Sequence, residues 1–220
     1  MARQLQDGEL TLREYVEAAW PVLEPGQAFK PNWHIDAICE HLEAVTEGQI
    51  DRLIVNVPPR YSKSTLVTVN WPAWEWTLNP RGRWIFCSYS ATLSTKHSTD
   101  RRTLIESPWY QARWGGLVTM ALDQNEKTQF QNTRRGHMVA TSIGGAIIGK
   151  GGNKIVIDDP QDPQRAESAA DRERVNNVYD RSLVTRLDDK TAGAIVIVMQ
   201  RLHEKDLAGH VAAKQPRRWT

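Results

Sequence analysis

The chain has 220 residues and carries 28 Lys and Arg against 26 Asp and Glu, enough length for one substantial α/β core and too even a balance for total charge to mark a nucleic-acid partner. Its two cysteines, Cys39 and Cys87, exclude a disulfide framework or a zinc site and read as core residues of a protein kept in a reducing cytoplasm. No apolar run approaches the ~20 residues of a membrane span and Met1 to Glu17 lacks a signal-type apolar stretch, so a soluble, unexported protein is expected.

Thr11 to Trp20 and Trp33 to Glu47 predict helices, the second with Ile35, Ile38, Leu42 and Val45 on one face and Asn32 as its cap. Pro21, Pro25, Gly26 and Pro31 predict an extended connection between them. Residues 1–48 thus read as a helical segment packed on a core of residues 49–220. Leu53 to Val57 predicts the first strand, followed by a loop and a helix from Ser64 that Pro72 must break or restart. Trp84 to Ser88 predicts a second strand, Ala91 to Tyr110 a helix, and Gln129 to Thr141 a hairpin turning at Asn132 to Gly136. The run Gly144 to Gly152 is too glycine-rich for regular structure. Lys154 to Ile157 predicts a strand closing on Asp158-Asp159-Pro160, Glu167 to Leu187 an amphipathic helix, Gly193 to Met199 a buried strand, and Lys205 to Lys214 a last helix. Nine tryptophans are scattered without a repeat and read mostly as core.

Short apolar strands alternating with helices predict a mainly parallel sheet covered on both faces, with ligands outside the carboxyl ends of its strands. That rule puts Pro58 to Lys63, Ser88 to Ser90, Asp158-Asp159 and Gln200-Arg201 along one edge. Lys63-Ser64-Thr65 at a strand-to-helix turn is a partial match to G-x-x-x-x-G-K-[ST], with Val57 and Ser62 standing in the glycine positions. In that pattern the lysine reaches phosphate oxygens and the hydroxyl holds Mg2+. Asp158 then reads as the metal-side carboxylate and Asp159 as the base for an attacking water, because successive side chains at a strand end diverge. The bland alternative is a strand end with two solvated acids. Arg60, inside the loop, is a candidate phosphate contact, and Gln200-Arg201 can sense a γ-phosphate or form a surface ion pair with Glu204 or Asp206. Arg101 and Arg102 read either as a finger into a neighbouring subunit's site or as a solvated helix face. His34 and His203 read as structural.

Five segments together resemble one family. Pro58-Pro-Arg-Tyr-Ser-Lys-Ser64, Tyr89 with a helix running to Ser107-Pro-Trp-Tyr110, Gly144-Gly-Ala-Ile-Ile-Gly-Lys-Gly151, Ile157-Asp-Asp-Pro160 and Gln200-Arg-Leu-His-Glu-Lys-Asp-Leu-Ala-Gly209 look like the ATPase domain of a tailed-bacteriophage terminase large subunit. The resemblance runs from about Phe29 onward and lies in the ordered set. It implies a P-loop NTPase of the additional-strand catalytic-glutamate type, a motor that uses ATP and Mg2+ to move double-stranded DNA into a procapsid. By that resemblance Pro59, Arg60, Tyr61, Ser62, Lys63, Ser64 and Thr65 cradle the nucleotide, Ser64 and Asp158 hold the metal, and Asp159, Arg60, Arg101, Arg102 and Gln200 serve catalysis. Three positions depart from the family: Tyr61-Ser62 replaces His-Gly, Asp159 stands where many such motors have glutamate, and Gln200-Arg-Leu-His203 replaces Thr-Arg-Trp-His.

The resemblance further implies a homo-oligomeric ring, portal and small terminase subunits as partners, and the host bacterial cytoplasm as location. It also implies a following nuclease domain, which would begin where this chain stops, so a fragment is expected. DNA contact should be to the backbone and salt-sensitive, with Lys150, Lys154 and Arg134-Arg135 as candidates. Two other readings share parts of this pattern: a helicase or other P-loop nucleic-acid ATPase, and a nucleotide-independent assembly module with a decayed phosphate loop.

Overall fold

Every residue of the strand Ala194–Met199 is buried, as is nearly all of Lys154–Asp158, because helices cover both faces of the sheet that holds them. The structure, a computed structural model, describes residues 9–145 and 149–220, excluding the side chains of Asp123 and Gln124. Its strands are β1 (Arg52–Asn56), β2 (Arg83–Ser88), β3 (Met120–Asn125), β4 (Gln129–Asn132), β5 (His137–Ser142), β6 (Lys154–Asp158) and β7 (Ala194–Met199), in the order β1-β7-β6-β2-β5-β4-β3. The first five in that order are parallel; β4 and β3 extend the sheet as antiparallel strands. β7 thus lies between the strand that feeds the phosphate-type loop and the strand that ends in the two aspartates, the additional-strand order that the resemblance implies.

Alternate residues of each strand face opposite cores. Leu53, Val55, Phe86, Val156 and Val198 meet the tryptophan-rich side, built by α1 (Leu12–Leu23), α2 (Trp33–Thr46), a π-helical segment (Thr65–Asn70) and α3 (Trp71–Leu78). Ile85, Ile157 and Ile197 meet the other, against Val175, Tyr179 and Leu183 of α6 (Ala169–Val178) and the turns after it, and Val211 of α7 (Leu207–Lys214). Cys39 and Cys87 are buried and unpaired, and burial pushes both thiols up to about 12, which makes them inert core residues as expected. Among the described residues no helix is long and apolar enough to cross a membrane.

Several boundaries differ from expectation. Pro21 lies inside α1 rather than in an extended connection: in the last turn it forfeits one helical bond, while Thr11 and Glu14 close a capping box at the other end. The helix predicted over 91–110 is two, α4 (Ala91–Glu106) and α5 (Pro108–Trp114), because Pro108 cannot continue α4 and the Ser107 hydroxyl caps the new start by accepting from Tyr110 N at 3.2 Å. β3 was not expected. The helix predicted over 167–187 begins at Ala169 and passes through a π turn (Tyr179–Leu183) and a 3-10 turn (Val184–Arg186); Arg172 near its start is buried, donating to Ala166 O at 2.6 Å. Of the glycine-rich run, residues 146–148 lie outside the described residues.

Candidate active site

Parallel strands bring the carboxyl ends of β1, β7, β6 and β2 to one edge, and the loop after β1 arrives there beside both aspartates. Arg60 and Ser62 both adopt left-handed backbone, at φ 68° and 58°. Ser62 therefore takes the conformation that glycine usually supplies at this place, and its carbonyl accepts from Leu66 N at 2.9 Å as the helix begins. Arg60 is exposed, and its guanidinium has no ion-pair partner among the described residues.

Asp158 and Asp159 diverge, as strand geometry predicts. Asp158, 2 % exposed, accepts from Ser64 Oγ at 3.0 Å and Thr68 Oγ1 at 2.7 Å, with His97 Nδ1 3.4 Å away. Burial first, and then the neighbouring Asp159, push its carboxyl up to about 6 against the pull of Thr68, Ser64 and Lys63. Burial likewise drives the His97 imidazole down to about 4, assisted by the Arg101 and Lys96 charges. The reading of two solvated acids is thereby excluded for Asp158. Asp159 stands at φ 44°, a left-handed turn that aims its carboxylate at Lys63 Nζ, 2.8 Å away, while Gln200 N–H donates to its Oδ1 at 3.3 Å. Lys63 is itself buried.

Mg2+ suits this donor set on two grounds. The available groups are hard oxygens, and a buried carboxylate made costly by burial and a like charge is relieved by a divalent cation. Among the described residues no three His, Cys, Asp or Glu side chains converge as a metal site.

Other expected residues are placed elsewhere. Arg101 is wholly buried: its guanidinium lies 3.5 Å from the Phe86 ring centre and donates to Thr68 O, so it is no finger to a neighbouring subunit. Pro72, four residues beyond Thr68, has no N–H to offer that carbonyl, and Arg101 supplies the missing donor. Arg102 is also engaged within the chain, with Asn125 at 3.3 Å and Glu106 at 3.8 Å. Arg201 turns from the edge to Asp206 at 3.0 Å, one of the two expected ion-pair partners, but that carboxylate is buried and not on the surface; Gln200 meets the site through its backbone. Lys154 is bound to buried Glu75 at 2.8 Å and is unavailable to DNA. His203 accepts from Lys205 N at 3.0 Å, a structural role as expected.

Pro59 and Tyr61 are exposed in the loop, and Thr65 opens the π-helical segment, its carbonyl taking Asn70 Nδ2 at 2.8 Å. Thr68 and His97 were missed from sequence. Thr68 is four residues from Ser64, a spacing that stacks both hydroxyls on one helix face and could have marked it; His97 comes from α4 and left no such signal. Also missed was a groove of about 490 Å3 beside the loop, lined by Trp20, Phe29, Lys30, His34, Arg60 and Tyr61 among others.

Comparison with family models and with curated proteins gives no match. Among solved structures, the crystal structure of the HK97 bacteriophage large terminase is similar, with a TM-score of 0.62 and 13 % identity over 94 % of this chain and 42 % of that one. The likeness establishes a terminase-like fold, and this chain spans less than half of that protein's length.

Proposed function

We propose that this chain is the ATPase motor domain of a terminase large subunit, coupling ATP hydrolysis to translocation of double-stranded DNA into a procapsid. The observation that carries the reading is the meeting of Lys63 and Ser64 with Asp158 and Asp159 at one sheet edge. Lys63 and the left-handed loop of Arg60 and Ser62 bind phosphate oxygens through an ammonium and backbone N–H groups. Ser64 and Asp158 hold Mg2+, which when bound neutralises phosphate charge. Asp159, oriented by the Gln200 N–H, accepts the proton of the attacking water. The aromatic groove beside the loop takes the base. Portal and small subunits, a ring of copies and the host cytoplasm belong to the same reading.

Calorimetry should show ATP binding that strengthens with Mg2+, and Lys63→Ala should remove it. Asp159→Asn should retain binding and lower Mg2+-dependent hydrolysis by about 10²-fold or more. Circular dichroism should show both variants folded; hydrolysis at the unmutated rate in either sinks the mechanism.

A further inference from the structure

Four arginines meet at the end of the sheet opposite the aspartates. Arg81 lies in the turn before β2 and Arg83 opens that strand, Arg134 and Arg135 lie in the turn entering β5, and together they line an open groove of about 680 Å3. All four are exposed. Arg83 pairs with Asp188 at 2.9 Å, whereas the side chains of Arg81, Arg134 and Arg135 have no carboxylate or hydrogen-bond partner among the described residues. Such a concentration of uncompensated charge repels itself unless an anion shares it.

The rest of the lining points the same way. Asn79 and Asn153 spend their side-chain oxygens on the N–H groups of Arg81 (3.2 Å) and Arg83 (3.0 Å), which leaves their NH2 groups as donors. Nearby carbonyls are already taken: Pro80 O by Asn132 Nδ2 at 2.7 Å and Gly82 O by Trp76 Nε1 at 3.0 Å. Thr133 is the remaining lining residue, so no apolar side chain contributes. The two turns are also locked together. Asn132, fully buried, binds both the 79–82 turn and its own turn, and a Cβ on Gly136 would stand 2.1 Å from Pro80 O. Arg135 is held in left-handed backbone at φ 69° within this frame.

We infer that this groove is a second, separate anion site that grips the phosphodiester backbone of duplex DNA. A rigid surface of four guanidinium groups and two amide NH2 donors, with the Thr133 hydroxyl beside them, selects a polyanion. The lack of apolar anchors disfavours an acidic protein partner, and the lack of aromatic residues disfavours unpaired bases, which need a stacking surface. It deepens the motor reading in its DNA partner only and does not rest on hydrolysis, since the strand β2 that joins the two ends places them roughly 15–20 Å apart.

The test is anisotropy of a labelled duplex titrated with the whole chain at several salt concentrations. Arg81→Gln/Arg134→Gln/Arg135→Gln should weaken binding about tenfold or more and reduce the slope of log affinity against log salt by about 2–3, one unit per lost contact. Arg165→Gln/Arg174→Gln/Arg181→Gln, an equal charge change on another face, should leave the slope in place, and Arg81→Glu alone should reproduce a smaller loss. An unchanged slope in the first variant, an equal loss in the control, no duplex binding at all, or preference for polyglutamate over duplex each overturns the site. Calorimetry separates this from the ATPase reading: the triple variant should bind ATP normally, and absence of ATP binding in the unmutated chain would sink that reading while leaving the groove standing.

Discussion

At φ 58°, Ser62 occupies backbone space that costs a non-glycine residue roughly 1–2 kcal/mol. Nothing in the local sequence requires that cost, so it is borne by the loop's need to turn into the helix at Lys63. Ser62→Gly should therefore raise stability by about 1 kcal/mol in urea denaturation and leave ATP binding intact; a loss of stability would show that the Ser62 side chain itself holds the loop. Lys63, Ser64, Asp158 and Asp159 were legible because their positions follow from strand ends alone. The conformation of Ser62 was not, since a pattern of residue types reports which residue is usual at a turn and is silent on whether another is forced into it. His97 was equally hidden: its contact with Asp158 spans 61 positions and is made by tertiary packing.

Among elements, α4 and the π-helical segment define each other. Pro72 withholds a donor from Thr68 O, the chain winds through a wider turn in which Trp71 N–H reaches Leu66 O, and Arg101 of α4 fills the gap. Arg101→Ala should lower stability by about 1–3 kcal/mol, measured by chemical denaturation, because it strips the Thr68 carbonyl of its partner and leaves a cavity beside Phe86, a loss partly offset by removing a buried guanidinium whose Nε and Nη2 have no hydrogen-bond partner. A finger arginine acting on another subunit would instead leave the isolated chain's stability unchanged. The sequence located this helix and its proline conflict but not the resolution, which lies in a residue 29 positions away. β3 was illegible for a different reason: Met120-Ala-Leu-Asp-Gln-Asn125 contains no β-branched residue and is extended by pairing with β4.

For the whole molecule, the N-terminal helices and the sheet share one core: Leu12, Tyr15, Val16, Ile38 and Leu42 belong to the same buried cluster as Leu53, Val67 and Trp71. A polar chain of contacts crosses the same boundary, from Trp71 Nε1 to Thr46 Oγ1 to Glu75 to Lys154, with links of 2.8 Å each. A chain begun at residue 49 should consequently lose its cooperative thermal transition in calorimetry and bind a hydrophobic dye; retention of a sharp transition would make the helices a dispensable attachment. Fold class was readable because apolar strands between helices admit few arrangements. The π-helical segment also governs how this molecule can be matched to others of its shape. A helix that runs as plain α over the same length turns by about 100° for each residue it saves, so a relative without the wider turn brings a neighbouring position under the carboxylate. Sequences laid side by side there without a gap would pair the wrong hydroxyl with Thr68, and a site held in common would look like one that had been lost.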